Sequence, residues 1–133
     1  MHAIFIGGRL AFVAADQDQA DSRFCWKDAV VVDDRLQPAW QFTAPGTGEC
    51  GRILPLSYGR APAGATTTVR ARRLEPGRLY ILIGDATASV DGAFSFSRAG
   101  DRVRAHNVDP DSPSATAVRE AWWRARQNPA PGH

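Results

Sequence analysis

Short apolar runs alternate with turn residues along most of this chain, and period-two spacing dominates until residue 111. Ile4-Phe5-Ile6 and Leu10-Ala11-Phe12-Val13 flank Gly7-Gly8. That pattern predicts a β-hairpin closed by a two-residue glycine turn. The same stretch is too interrupted for a signal peptide: Gly7-Gly8-Arg9 breaks the apolar run, and no lysine or arginine precedes it. Arg23 to Val32 ends in β-branched residues before an Asp33-Asp34 turn. In Leu36 to Thr43, Leu36, Pro38, Trp40 and Phe42 share one side. Proline lacks a backbone donor, so this segment is expected to be an edge strand or only partly a strand.

The alternation continues after a glycine-rich loop, Pro45 to Gly51. Ile53 to Tyr58 is a short run broken by Pro55, and Gly59 to Gly64 is a second loop. Thr66 to Arg73 reads as a strand with Arg70 and Arg72 on its polar face. Leu79 to Ile83 is apolar on both faces, which predicts a central, doubly buried strand. Asp91-Gly92 reads as a tight turn, followed by Phe94 and Phe96 alternating with Ser95 and Ser97. Arg102 to Val108 is a weaker strand that carries Arg102 and Arg104 on one face. The period then changes. Ser112-Pro113 starts a helix whose apolar face is Ala115, Val118, Trp122 and Ala125, and Asn128-Pro129 ends it.

These elements predict a mainly β fold, a two-sheet sandwich with an N-terminal hairpin over residues 1–111 and a packed C-terminal helix over 112–128. Residues 129–133 form a frayed tail. A length of 133 residues suits one domain with its own core. No run approaches the roughly 20 apolar residues of a membrane-spanning helix. Sixteen basic against 14 acidic side chains leave a net charge of +2, so the chain as a whole has no strong pull toward nucleic acid or anionic membrane.

Leu74-Glu75-Pro76-Gly77-Arg78-Leu79-Tyr80 resembles the L-x-P-G-x-x-Y turn of fibronectin type III and related immunoglobulin-like β-sandwiches. The resemblance implies that Leu74 plugs the sandwich end and that Pro76-Gly77 turns the chain. It also implies that Tyr80 buries its ring and returns its hydroxyl to the backbone upstream. The stretch that carries it, Thr66 to Asp85, covers about a sixth of the chain. An antibody-type bridge would place cysteine two residues after Tyr80, where Leu82 stands, so Cys25 and Cys50 are not that bridge. The fold class hosts adhesion, receptor, chaperone and accessory roles, so it does not set function.

Familiar catalytic motifs fail on inspection. Gly46-Thr47-Gly48-Glu49-Cys50-Gly51 matches G-x-G-x-x-G but leads into an extended segment, not the helix a dinucleotide site needs. Asp16 to Asp21 begins like a calcium loop but lacks the glycine bend and the closing glutamate. His2, His106 and His133 have no metal-ligand spacing, so no metal or cofactor is expected. Cys25 and Cys50 admit either a disulfide or two free thiols. A thiol in a glycine-rich loop would be exposed to oxidation, which favours the bridge. A bridged pair implies a periplasmic or extracellular location, and free thiols imply the cytoplasm.

Arginine supplies the functional expectation. If their strands share a sheet, Arg70, Arg72, Arg102 and Arg104 can form one anion-binding face, because a guanidinium grips carboxylate or phosphate bidentately. On the helix, Trp123 beside Arg119 and Arg126 lies off the apolar face and can anchor a partner. The expected function is a non-catalytic protein-binding or assembly module that contacts another protein or its own copy, with room for a small anion. The alternatives are a small hydrolase-like enzyme using His106 with Asp85 or Asp109, and polyanion or nucleic-acid binding.

Overall fold

Gly7 and Gly8 take the positive φ angles, 57° and 80°, that a two-residue hairpin turn requires. They join β1 (His2–Ile6) to β2 (Arg9–Val13), with Ile6 opposite Arg9, as the sequence predicts. The structure is a computed structural model that describes residues 1–16, 25–44, 54–86 and 88–127. The other elements are β3 (Asp28–Asp33), β4 (Pro38–Thr43), β5 (Leu56–Ser57), β6 (Thr66–Val69), β7 (Tyr80–Ala86), β8 (Ala88–Ala99), β9 (Arg102–Val108) and helix α1 (Pro113–Gln127).

The strands form two antiparallel sheets, in order β1-β2-β5 and β6-β4-β3-β7-β8-β9. β3 and β7 lie at the centre of the larger sheet, and their apolar runs are buried on both faces. Val31, Tyr80 and Leu82 face the small sheet, where they pack with Phe12, Trp40, Phe42, Leu56 and Phe94. Val30, Val32, Ile81 and Ile83 face the other way, toward Ala115, Val118 and Trp122 of α1. The molecule is thus a β-sandwich whose larger sheet carries a helix on its outer face. Parity decides the division, because successive side chains of a strand point to opposite faces.

Local chemistry fixes the ends of these elements. Ser112 caps α1: its carbonyl accepts from Thr116 N–H at 2.9 Å, and its hydroxyl from Ala115 N–H at 3.4 Å. Tyr80 behaves as the L-x-P-G-x-x-Y resemblance implies. Its ring is buried, its hydroxyl accepts from Glu75 N–H at 2.7 Å, and Gly77 turns with φ 81°. One difference stands out. An E–F corner joins facing sheets, whereas this turn joins β6 and β7 of one sheet.

Four expectations change. β4 is flanked by β3 and β6 and is not an edge strand; the segment is strand only in part, from Pro38 to Thr43. Pro38 is tolerated because it opens the strand at a bulge, where Val31 pairs with Trp40 and Val32 with Pro38. β6 ends at Val69, after a second register shift, so Arg70 and Arg72 follow the strand and do not project from it. Asp91-Gly92 is no turn; it lies inside β8, opposite Ile83 and Leu82. Gly92 answers to crowding, since a Cβ there would lie 2.5 Å from Met1 Cε. Ala125 of α1 is exposed, so the docked face ends at Trp122.

Of the cysteines, Cys25 is not a free thiol. Cys50 lies outside the described residues, and so does the predicted pairing with it. The glycine-rich loop over 46–51, most of the acidic stretch after Asp16 and the helix stop at 128–129 also lie outside them.

Candidate functional site

The arginines predicted to act together are apart. Arg70 and Arg72 lie just beyond β6, at one edge of the large sheet, and Arg102 and Arg104 lie on β9 at the other. The full order of six strands, each about 4.8 Å from the next, separates these edges along the sheet. Arg70 and Arg72 lie past the end of their strand, so the two pairs do not form one strand face. Arg72 is also engaged, bonding Asp33 at 3.2 Å. On α1, Arg119 bonds the Pro110 carbonyl at 3.0 Å and lies 3.9 Å from both Asp91 and Asp111. Burial raises the Asp91 carboxyl above its ordinary value, against the opposing pull of the Gly84 N–H and Arg119. Arg119 thus ties the helix to the sheet. Trp123 is exposed, with Arg126 5.5 Å from its ring centroid.

His106 bonds Ser97 Oγ at 2.9 Å on an exposed face. Neither predicted acid reaches it. Asp85 lies toward the far end of β7, opposite Ser89, whereas His106 pairs with Ser95 beyond Phe94. Asp109 accepts from Asp111 N–H at 2.9 Å. No group of three or more His, Cys, Asp or Glu is placed to hold a metal ion among the described residues.

A cleft of about 610 Å³ does gather arginines, within the range of small-ligand sites. One wall is the β1–β2 hairpin, contributing Phe5, Ile6, Gly8, Arg9 and Leu10. The opposite wall follows β5 and contributes Ser57, Tyr58, Gly59 and Arg60. Arg73, Leu74, Phe96 and Arg98 close it. Its floor is apolar, with Phe5 and Phe96 ring centroids 5.5 Å apart. Ile6, at 62% exposure, stands open on the rim. All four arginines are exposed, no carboxylate lines the cleft, and none of the four makes an ion pair among the described residues.

Tyr58 holds two parts of this site together. Its N–H donates to the Leu10 carbonyl at 3.0 Å, which ties the wall after β5 to β2. Its hydroxyl lies 2.6 Å from the Arg72 carbonyl and 3.1 Å from that of Ala39. The hydroxyl therefore fixes the strip that carries Arg73. Burial pushes the Tyr58 phenol up to about 12, and burial also raises Tyr80. Tyr58 and Tyr80 are the two tyrosines of the chain. A folded value above the unfolded one, 10.0, means that the stabilisation is complete below pH 10. It is lost as pH rises through the folded value. Tyrosinate absorbance is therefore expected to lag in the native protein: at pH 10 the denatured chain is half ionised, native Tyr58 stays protonated and native Tyr80 is less ionised than in the denatured chain. Equal tyrosinate absorbance of native and denatured chain at pH 10 would contradict this.

The sequence named none of Arg9, Arg60 and Arg98: Arg9 opens β2 and Arg98 stands next to last in β8, each at a strand end beside a turn, and Arg60 follows β5. A signal existed. Gly8-Arg9 and Gly59-Arg60 place arginine directly after a positive-φ glycine, and Arg98 precedes Gly100 by two residues. Comparison of the chain with protein-family models, curated proteins and solved structures finds no match.

Proposed function

We propose that this protein is a non-catalytic binding module that recognises an acidic, partly apolar ligand in the cleft at its hairpin tip. The observation that carries the reading is charge without compensation: four arginines and, among the described residues, no carboxylate around an apolar floor. Such a cleft suits a carboxylate or phosphate joined to an apolar body, because guanidiniums bind the anion bidentately while the floor removes the body from water. The lining also supports a non-catalytic role. Among the described residues it holds no Asp, Glu, His, Cys or Lys, and its one phenol ionises only at about 12. No lining group is therefore poised to exchange a proton near neutral pH. Recognition of another protein or of a second copy falls within this reading. The predicted Cys25–Cys50 bridge is independent of it.

Anilinonaphthalene sulfonate, an aromatic anion, tests the cleft. Its fluorescence is expected to rise on binding, and its affinity to fall with salt as exposed charges are screened. The double variant Arg73→Glu/Arg98→Glu is expected to bind at least about tenfold more weakly, a change of about 1.4 kcal/mol. Arg70→Glu, outside the cleft, should leave affinity unchanged. Equal affinity in the double variant and the parent, at equal thermal stability, would remove the cleft from consideration.

A further inference from the structure

The arginine cleft does not end at the hairpin tip. A second cavity of about 590 Å³ shares Phe5 and Gly8 with it and continues along Arg102, Val103 and Arg104 of β9. Its lining has two guanidiniums against the one carboxylate of Asp101, and none of these three makes an ion pair among the described residues. β9 is the last strand of the large sheet and pairs only with β8 among the described strands. Its outward backbone groups are covered near Asn107 by β1. There Ala3 N–H donates to Asn107 Oδ1 at 2.7 Å, and Asn107 Nδ2 donates to the Ala3 carbonyl at 3.0 Å. A side-chain amide thus imitates one rung of a strand ladder. At the Arg102–Arg104 end lies a cavity bounded by Phe5 and Gly8 of the hairpin, by Arg102 to Arg104 of β9 and by Ser97 and Ala99 of β8.

We infer that the ligand is an acidic peptide in extended conformation, which fills the arginine cleft, passes Phe5 and adds as a strand to the free edge of β9 between Arg102 and Arg104. The inference rests on the proposed binding role of the cleft and adds the ligand's class and course. Three features favour it. A sheet edge offers main-chain hydrogen bonds that only a peptide backbone can return in register. The two cavities meet at Phe5, so one chain can occupy both. Exposed cations above apolar side chains suit a segment that alternates acidic with apolar residues, because alternate side chains of a strand point to opposite faces.

The probe is a fluorescein-labelled peptide of about ten residues alternating glutamate with valine or phenylalanine, roughly 33 Å when extended. Anisotropy titration is expected to show binding that Arg102→Glu/Arg104→Glu weakens at least about tenfold. The same variant should leave anilinonaphthalene sulfonate in the cleft untouched. A peptide N-methylated at alternate residues should lose affinity as strongly, since methylation removes backbone donors and keeps every charge. Two results overturn the inference and leave the cleft standing. One is peptide affinity indifferent both to the β9 variant and to N-methylation, while the sulfonate still depends on Arg73 and Arg98. The other is an oligothymidylate of about ten nucleotides that binds more tightly than the peptide, which would assign the track to single-stranded nucleic acid. Sulfonate binding that ignores Arg73 and Arg98 would overturn the cleft itself, and the inference with it.

Discussion

Phe12→Ala is expected to lower the unfolding free energy by about 3–5 kcal/mol, read as a fall in the urea midpoint with an unchanged slope. Phe12 is fully buried. It sits on β2, the middle strand of the small sheet, opposite Leu56 of β5. Its ring meets Phe94 edge-on at 5.7 Å, so the substitution removes an aromatic pair together with buried area. The pair also bridges the two sheets: Phe12 belongs to one and Phe94 to the other. A domain of this size has about 5–15 kcal/mol in hand, so the loss is a large share of the whole. Phe12→Leu keeps most of the volume and should cost far less. Equal midpoints for the parent and Phe12→Ala would mean that the small sheet does not pack as described.

Asp33→Ala has the second large effect, about 3 kcal/mol. Asp33 is a buried carboxylate at the end of β3. Its Oδ1 accepts from Arg35 N–H at 2.8 Å and from Gln37 N–H at 2.9 Å, and Arg72 approaches Oδ2 at 3.2 Å. The two backbone bonds shape the turn in which Leu36 takes φ 63°, a strained angle for a branched side chain. Alanine supplies no acceptor, so both donors lose their partner. The Arg72 contribution is smaller, because that side chain is 49% exposed and its ion pair is screened by water. Arg72→Ala should therefore cost at most about 1 kcal/mol, and Asp33→Asn should fall between the two. If Arg72→Ala matched Asp33→Ala, the ion pair and not the turn would be the main contribution.

Asp33 also shows where sequence reading stops. Asp33-Asp34 is legible as a turn, because aspartate bonds the backbone just ahead of it. Its ion pair with Arg72 crosses 39 residues and has no local signature. The same holds for Arg119, which reads as an interface residue on a helical wheel. In the fold it meets Asp91, and Asp91 reads as a turn residue until β8 is seen to run through it. Pro38 fails for a related reason: the rule that places proline at an edge is sound, but a bulge satisfies it equally well.

What the sequence determined by itself is everything governed by a period or by neighbours a few residues apart. The hairpin at Gly7-Gly8, the doubly buried run of β7, the alternation of Phe94 and Phe96, the cap at Ser112 and the corner at Tyr80 all belong here. Each depends on backbone sterics or on side-chain parity within one segment, and both are written in consecutive residues. The tertiary structure decided which arginines are neutralised and which remain available. Arg72, Arg78 and Arg119 find carboxylates through strand order, while Arg9, Arg60, Arg73 and Arg98 come together from separate segments with no carboxylate of the described residues beside them. Coulomb energy depends on distance in space and on exposure to water, and neither quantity is carried by position along the chain.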